Sequence, residues 1–301
     1  MSGYSSPTQP AFRKENDREF HTFRDGIYMF PCDEQEKDRM DLYHSLFMEL
    51  RGGALHWAPI VPNSEPLRIL DLGTGTGIWA IDMAAKFKEA EVIGVDLAPI
   101  QPRKTSDNVR FQVCDFESEW ALGRDSFDLI HLRMGLGSVS SWPKLWRRAL
   151  EHLKPGFGWV EYVEIDPHFR SDDGTLRSDS PILEWQRYLE HATSLAGKPY
   201  RYEVGTKQIM EEAGFIDVQC QTLVLPINPW PVDARSKNLG KWFQTGLEDG
   251  LEAFSMAPFT RMLGWTKEQV LHYLTEVRRE IGNRRVHAYC YCYVWIGRRP
   301  Q

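Results

Sequence analysis

The stretch Arg68-Ile69-Leu70-Asp71-Leu72-Gly73-Thr74-Gly75-Thr76-Gly77 decides the fold. An apolar run ends in a carboxylate and then in three glycines at alternate positions, the pattern of a strand, a tight turn and the start of a helix. Glycine permits positive φ and lets a ligand approach without meeting a Cβ, and a helix that begins there turns unpaired N–H groups toward that ligand. A nucleotide-like cofactor is therefore expected. A dinucleotide fingerprint needs the order G-x-G-x-x-G/A. Counted from Gly73 and Gly75, its third position is Ile78, bulky and β-branched, while the glycine falls one residue early at Gly77. An NAD-dependent enzyme is accordingly the weakest reading.

The D-x-G-x-G-x-G form resembles the nucleotide-binding signature of class I S-adenosyl-L-methionine methyltransferases, whose cofactor carries no pyrophosphate. Outward from it, strands and helices alternate. Ile78 to Phe87 reads as a helix, and Glu91 to Asp96 as an apolar strand of the kind a sheet covered on both faces requires. Asp96 ends that strand about twenty residues after the glycines, where a carboxylate accepts hydrogen bonds from ribose hydroxyls. A third strand, Val109 to Val113, leads to Asp115 and Phe116. Phe127 to Leu132 is a fourth, and by the two-residue period His131 and Arg133 share a face. Catalysis and a hydrogen-bonded pair that fixes the loop are equally open for these two. Gly158 to Asp166 is a fifth strand with three acids, costly unless they face solvent or a polar site. Glu164 and Asp166, near its end, are expected at an acceptor pocket.

Further helices are expected at Trp142 to Leu153, Pro181 to Ala196 and Thr206 to Ala213, then a strand at Val218 to Leu225. Two apolar stripes follow, one from Leu239 to Phe254 and one from Val270 to Ile281. They predict a helical insertion over about 228–285 that caps the strand ends. His287 to Ile296 is the last strand, with Cys290 and Cys292 on one face as core residues rather than metal ligands. On the N-terminal side, residues 1–14 are expected to be flexible, 15–66 to form a helical extension with its helix from Asp33 to about Leu50, and 67–301 to form the main domain.

Composition narrows the function classes. With 301 residues, 42% of them apolar, the chain is long enough to bury a large α/β core. A net charge of -6 and the absence of a basic run argue against direct nucleic-acid binding and leave no nuclear-import signal to read. Five cysteines without framework spacing fit a reducing compartment. There is no signal peptide and no apolar run of about 18 residues that would span a membrane. A cytoplasmic or nuclear location, or both, is expected.

Taken together, Asp33 to His44, Ile69 to Ala80, Val92 to Pro102, Phe127 to Arg133, Trp159 to Asp166 and His287 to Trp295 resemble the fungal LaeA-type methyltransferase family. The resemblance implies a Rossmann-like α/β fold with a seven-stranded, mostly parallel sheet whose last strand runs antiparallel between its neighbours. It implies S-adenosyl-L-methionine as cofactor, with Asp71 and the Gly73, Thr74, Gly75 and Gly77 loop at its methionine part. Asp96 is then assigned to the ribose and Asp115, with Phe116 packing on the ring, to the adenine, and Leu97 is counted with the cofactor site. His131 is counted with this site and is the first candidate base if an acceptor needs deprotonation, with Glu164 and His168 in reserve. It also implies a regulator of fungal secondary metabolism and development, in a heteromer with a velvet-domain or other regulatory protein. Two alternatives stand beside this, a small-molecule methyltransferase favoured by the aromatic cap and a cofactor-binding scaffold with little turnover.

Overall fold

A computed structural model describes residues 11–61 and 65–301. The chain opens on a hairpin of β1 (Phe12–Glu15) and β2 (Arg18–His21), passes through α1 (Glu34–Leu50), and then alternates. In order come β3 (Arg68–Leu72), α2 (Ile78–Lys86), β4 (Glu91–Asp96), β5 (Val109–Val113), β6 (Leu129–Arg133), α3 (Trp142–His152) and β7 (Trp159–Ile165). They are followed by α4 (Pro181–Leu195), α5 (Thr206–Glu212), β8 (Ile216–Pro226), α6 (Ala234–Met262), α7 (Lys267–Ile281) and β9 (Tyr289–Arg298).

The main sheet has the order β5-β4-β3-β6-β7-β9-β8. Strands β3 to β7 pair in parallel, and β9 lies antiparallel between β7 and β8, as the resemblance implied. The strand order reverses beside β3, so the ends of β3 and β6 splay open a crevice. Helices cover both faces, which is why Ile69, Leu70, Ile93 and Ile130 are fully buried in near-continuous apolar strands. Cys290 and Cys292 lie in this core with no exposed surface.

The N-terminal region differs from expectation in a useful way. The flexible assignment of 1–14 falls partly outside the described residues, but Phe12–Glu15 is a strand, and the stretch to 66 holds a hairpin as well as a helix. Side chains hold this strap in place. Arg18 grips Asp33 through Nε and Nη2 at 2.7 and 2.9 Å, and Asp33 also caps α1 by accepting from the Glu36 N–H. Glu15 takes a two-point contact from Arg261 of α6, at 2.8 Å each. Phe30 seats edge-on against Tyr200 and Phe254. No helix period exists here, so the sequence pattern carried no signal for it.

Helices α6 and α7 lie between β8 and β9, and α6 packs along α1. The contact is close because Gly246 lacks a side chain: a Cβ there would stand 2.1 Å from Cε1 of Tyr43. Alanine would raise helix propensity by about 1 kcal/mol. The clash wins, because the Tyr43 ring is held by Phe47, Phe243 and Arg39 and cannot yield. Gly246→Ala is expected to destabilise the fold by a net ~2 kcal/mol, read as a lower urea midpoint at unchanged slope.

Candidate active site

One cavity collects the chemistry. Its first wall is the set of loops at the C-terminal ends of β3, β4, β5 and β6, and its second is the strap, α1 and Phe254 of α6. Gly73, Thr74 and Gly75 form part of the first wall. Gly73 and Gly75 have φ of 64° and 57°, so the turn itself requires them. Gly75 also lies under α1, where an added Cβ would come within 3.0 Å of the Met40 sulfur.

Asp96 organises the loop. Its Oδ2 accepts from the Gly75 N–H at 2.8 Å and its Oδ1 from the Ala98 N–H at 2.9 Å. Both oxygens keep a further acceptor site. The carboxyl is half-buried at the cavity wall, and that burial pushes its pKa up to about 6 against the pull of the backbone N–H groups of Ala98, Gly75 and Leu97. Leu97, Asp115 and Phe116 continue the wall. Asp115 accepts from the Glu117 N–H and from Arg24 of the strap, the latter at 2.6 Å. That strap contact was not foreseen from sequence.

Three of the residues assigned to the cofactor stand off the cavity wall. Gly77 begins α2 at φ 82° and is off the cavity wall; a Cβ there would be 2.4 Å from Cζ of Phe111, so it serves packing. Asp71 is behind the loop, accepting from the Thr74 hydroxyl at 2.6 Å and from His131 Nδ1 at 2.7 Å, and acts by tethering the turn. His131 is opposite Asp71 in the sheet register, 1% exposed and stacked on Trp79 with ring centroids 3.7 Å apart. The two-residue period does place His131 and Arg133 on one face, but only Arg133, at the strand end, reaches the cavity. Burial outweighs Asp71 and lowers the His131 pKa, so the ring is neutral at pH 7, and among the described residues its Nε2 has no hydrogen-bond partner. His131→Ala is expected to cost about 3 kcal/mol of stability, by stranding the Asp71 carboxylate, while donor affinity changes less than about 5-fold. Denaturant titration beside calorimetric titration separates the two effects.

Glu164 reaches the cavity from the end of β7. Its Oε2 accepts from the Leu136 N–H and the Tyr162 hydroxyl, both at 3.1 Å, and Oε1 from the Ile165 N–H at 3.0 Å. Complete burial still wins and pushes its pKa up to about 8. His168 points back to Asp166 at 2.9 Å and lies off the wall; Asp166 also binds Arg170, so this cluster fixes the turn after β7. The third strand acid, Glu161, clamps the segment after α1 by accepting from Arg51, Trp57 N–H and Ala58 N–H. Sequence reading expected the N-terminal helix and the helical cap at the acceptor side but named none of the residues that line it, His21, Tyr28, Phe30, Arg39, Met40 and Tyr43 with Tyr200 and Phe254 across from them. His21 is the imidazole that borders the cavity; its Nδ1 lies 2.9 Å from Phe23 O, and burial lowers its pKa. Alternate aromatics at Tyr28 and Phe30 were the available signal.

Comparison with known proteins follows this geometry. A family model described as a methyltransferase domain matches residues 44–219. The chain is 50% identical to the secondary metabolism regulator LAE1 of Cochliobolus heterostrophus, covering 100% of this chain and 99% of the relative. It is 42% identical to a protein of Emericella nidulans named protein-methionine methyltransferase laeA, covering 96% of this chain and 77% of that one. Among solved structures, phosphoethanolamine N-methyltransferase 2 of Haemonchus contortus, in complex with S-adenosyl-L-methionine, has the same fold. It superposes with TM-score 0.52 at 18% identity, over 86% of this chain and 53% of that one. The chain belongs to the LaeA family of secondary metabolism regulators and is a methyltransferase.

Proposed function

We propose that this regulator acts by methylating a protein side chain whose nucleophile is neutral, the thioether of methionine above all. Its methyl donor is S-adenosyl-L-methionine, which supplies an electrophilic methyl group on a sulfonium. The wall residues suit that donor. Gly73 to Gly75 offer a cradle without side-chain bulk, Asp96 keeps acceptor capacity for two ribose hydroxyls, and Leu97, Asp115 and Phe116 provide an apolar slot with one polar end for the adenine. The remaining task for the chain is to align an acceptor and exclude water.

One observation carries the choice of acceptor: Glu164, the carboxyl at the β7 end of the cavity, has no exposed surface and both its oxygens are already engaged by the Leu136 N–H, the Tyr162 hydroxyl and the Ile165 N–H, and burial favours its protonated form. The pocket therefore offers no carboxylate base there, and a thioether needs none. The name of the Emericella nidulans relative supports the same acceptor class. Incubation with methyl-labelled donor and a fungal extract tests this, and label recovered as protein S-methylmethionine is the expected outcome. Label confined to small molecules would defeat it.

A second reading, methylation of a small hydroxyl or amine compound, draws support from the aromatic enclosure and from His21 as a neutral imidazole at the wall. Under it, His21→Ala should lower turnover steeply, whereas thioether methylation should survive that change. We propose further that the protein works in a heteromer with a velvet-domain or other regulatory protein, in the cytoplasm, the nucleus or both. Membership of a regulator family supports a protein partner. Among the described residues, no helix is long and apolar enough to cross a membrane. Co-purification of a partner without any label transfer would turn the reading toward a scaffold.

A further inference from the structure

Arg133 ends β6 and borders the cavity. Leu132 pairs with Leu72 of β3, so Arg133 stands one residue further on, level with the start of the glycine loop. Among the described residues its guanidinium forms no ion pair. Both terminal nitrogens lie 3.4 Å from Nδ1 of His44, and the group covers the Phe47 ring at 5.0 Å from its centre. His44 is itself oriented by Asp82, 3.0 Å from its Nε2, which leaves Nδ1 free to accept from Arg133. The carboxylates whose fields reach Arg133 are committed to other donors: Asp71 to His131 and Thr74, and Asp41 to the Thr76 hydroxyl at 2.6 Å.

A guanidinium carries five donors in a fork that matches a carboxylate, and a desolvated cation without an anion is costly. Here burial lowers the Arg133 pKa to about 10, so the group stays charged at neutral pH with two long contacts to one neutral ring. The asymmetry of the cavity adds direction. Asp96, Asp115 and Phe116 occupy the β4 and β5 side, so a nucleoside seated there extends its other end across the glycine loop toward β6.

We infer that Arg133 receives a carboxylate in this cavity, that of the donor's amino-acid end, with His44 and Asp82 positioning the guanidinium. The inference rests on S-adenosyl-L-methionine being the donor. An acceptor carboxylate shares the same chemistry, and the experiment separates the two sources.

The test is calorimetric titration of S-adenosyl-L-methionine and of decarboxylated S-adenosyl-L-methionine into the full chain. The wild type should prefer the carboxylated compound on the order of 10- to 100-fold, and Arg133→Gln should lose most of that preference while binding the decarboxylated compound about as before. Arg133→Lys should recover part of it. Equal affinities in the wild type would overturn the inference without any variant being folded. So would equal loss of both compounds in Arg133→Gln, which marks a structural role. Unchanged donor affinity in Arg133→Gln together with a raised KM for a carboxylate-bearing acceptor would assign the arginine to the acceptor and overturn the donor assignment. Binding of neither compound to the wild type would overturn the donor reading itself, and the inference with it.

Discussion

Asp96→Ala is expected to weaken donor binding by on the order of 100- to 1000-fold, the largest single loss available in the cavity. Two effects combine. The substitution removes the acceptor for the ribose hydroxyls, and it frees the Gly75 and Ala98 N–H groups that now hold the loop against β4. The pH dependence gives a sharper check. With its pKa pushed up to about 6, Asp96 becomes a pure acceptor only as pH rises through that value, so donor affinity should increase between pH 5 and 7. In Asp96→Asn that rise should vanish. Folding stability should move the other way. The folded state keeps this proton up to about pH 6, whereas the unfolded chain releases it near the ordinary aspartate value of 3.8. In that interval the folded state binds more protons, so the contribution of Asp96 to stability falls as pH rises. Calorimetric titration and denaturant midpoints measured over the same pH series test both signs. Parallel rather than opposed trends would defeat the assignment.

Glu164 carries the second large effect. Its folded pKa of about 8 lies above the ordinary glutamate value of 4.5, so the protonated carboxyl favours the folded state below the lower value. This contribution should be lost progressively as pH rises through the interval, amounting to roughly 3 to 5 kcal/mol at pH 9. Glu164→Gln should flatten the profile between pH 6 and 9 and make the protein more stable than wild type at the alkaline end. Urea midpoints across that range decide it. The same variant bears on the chemistry. Transfer to a thioether should stay within about tenfold of wild type. A rate that climbs through pH 8 in the wild type and disappears in Glu164→Gln would mean instead that the carboxylate acts as a base.

What the sequence revealed follows the periodicities it contains. Alternating apolar strands and helices are local patterns, and they disclosed the sheet, the glycine turn and the strand-end positions of Asp96, Asp115 and Glu164. Depth along a strand is not a local pattern. His131 and Arg133 share a face, but only the folded register tells that one lies beneath Trp79 and the other at the rim. His168 lies off the cavity wall for a related reason: three residues beyond the end of β7, its direction depends on Asp166, not on the strand. The strap was illegible because Arg18–Asp33, Glu15–Arg261 and Phe30–Phe254 join residues far apart in the chain, and nothing in the local composition announces such pairs.

The two walls of the cavity obey different constraints, and this bears on how such enzymes diversify. The donor wall is pinned by strand register, where a slip of one residue would reverse every side chain. The opposite wall is carried by a strap and two helices held through side-chain packing. On the proposed reading, a lineage can therefore keep one donor while changing its acceptor, by substitutions at Tyr28, Phe30, Met40, Tyr200 and Phe254, which line the wall opposite the glycine loop. Inheritance of the glycine loop and innovation at the aromatic wall are separable within one chain.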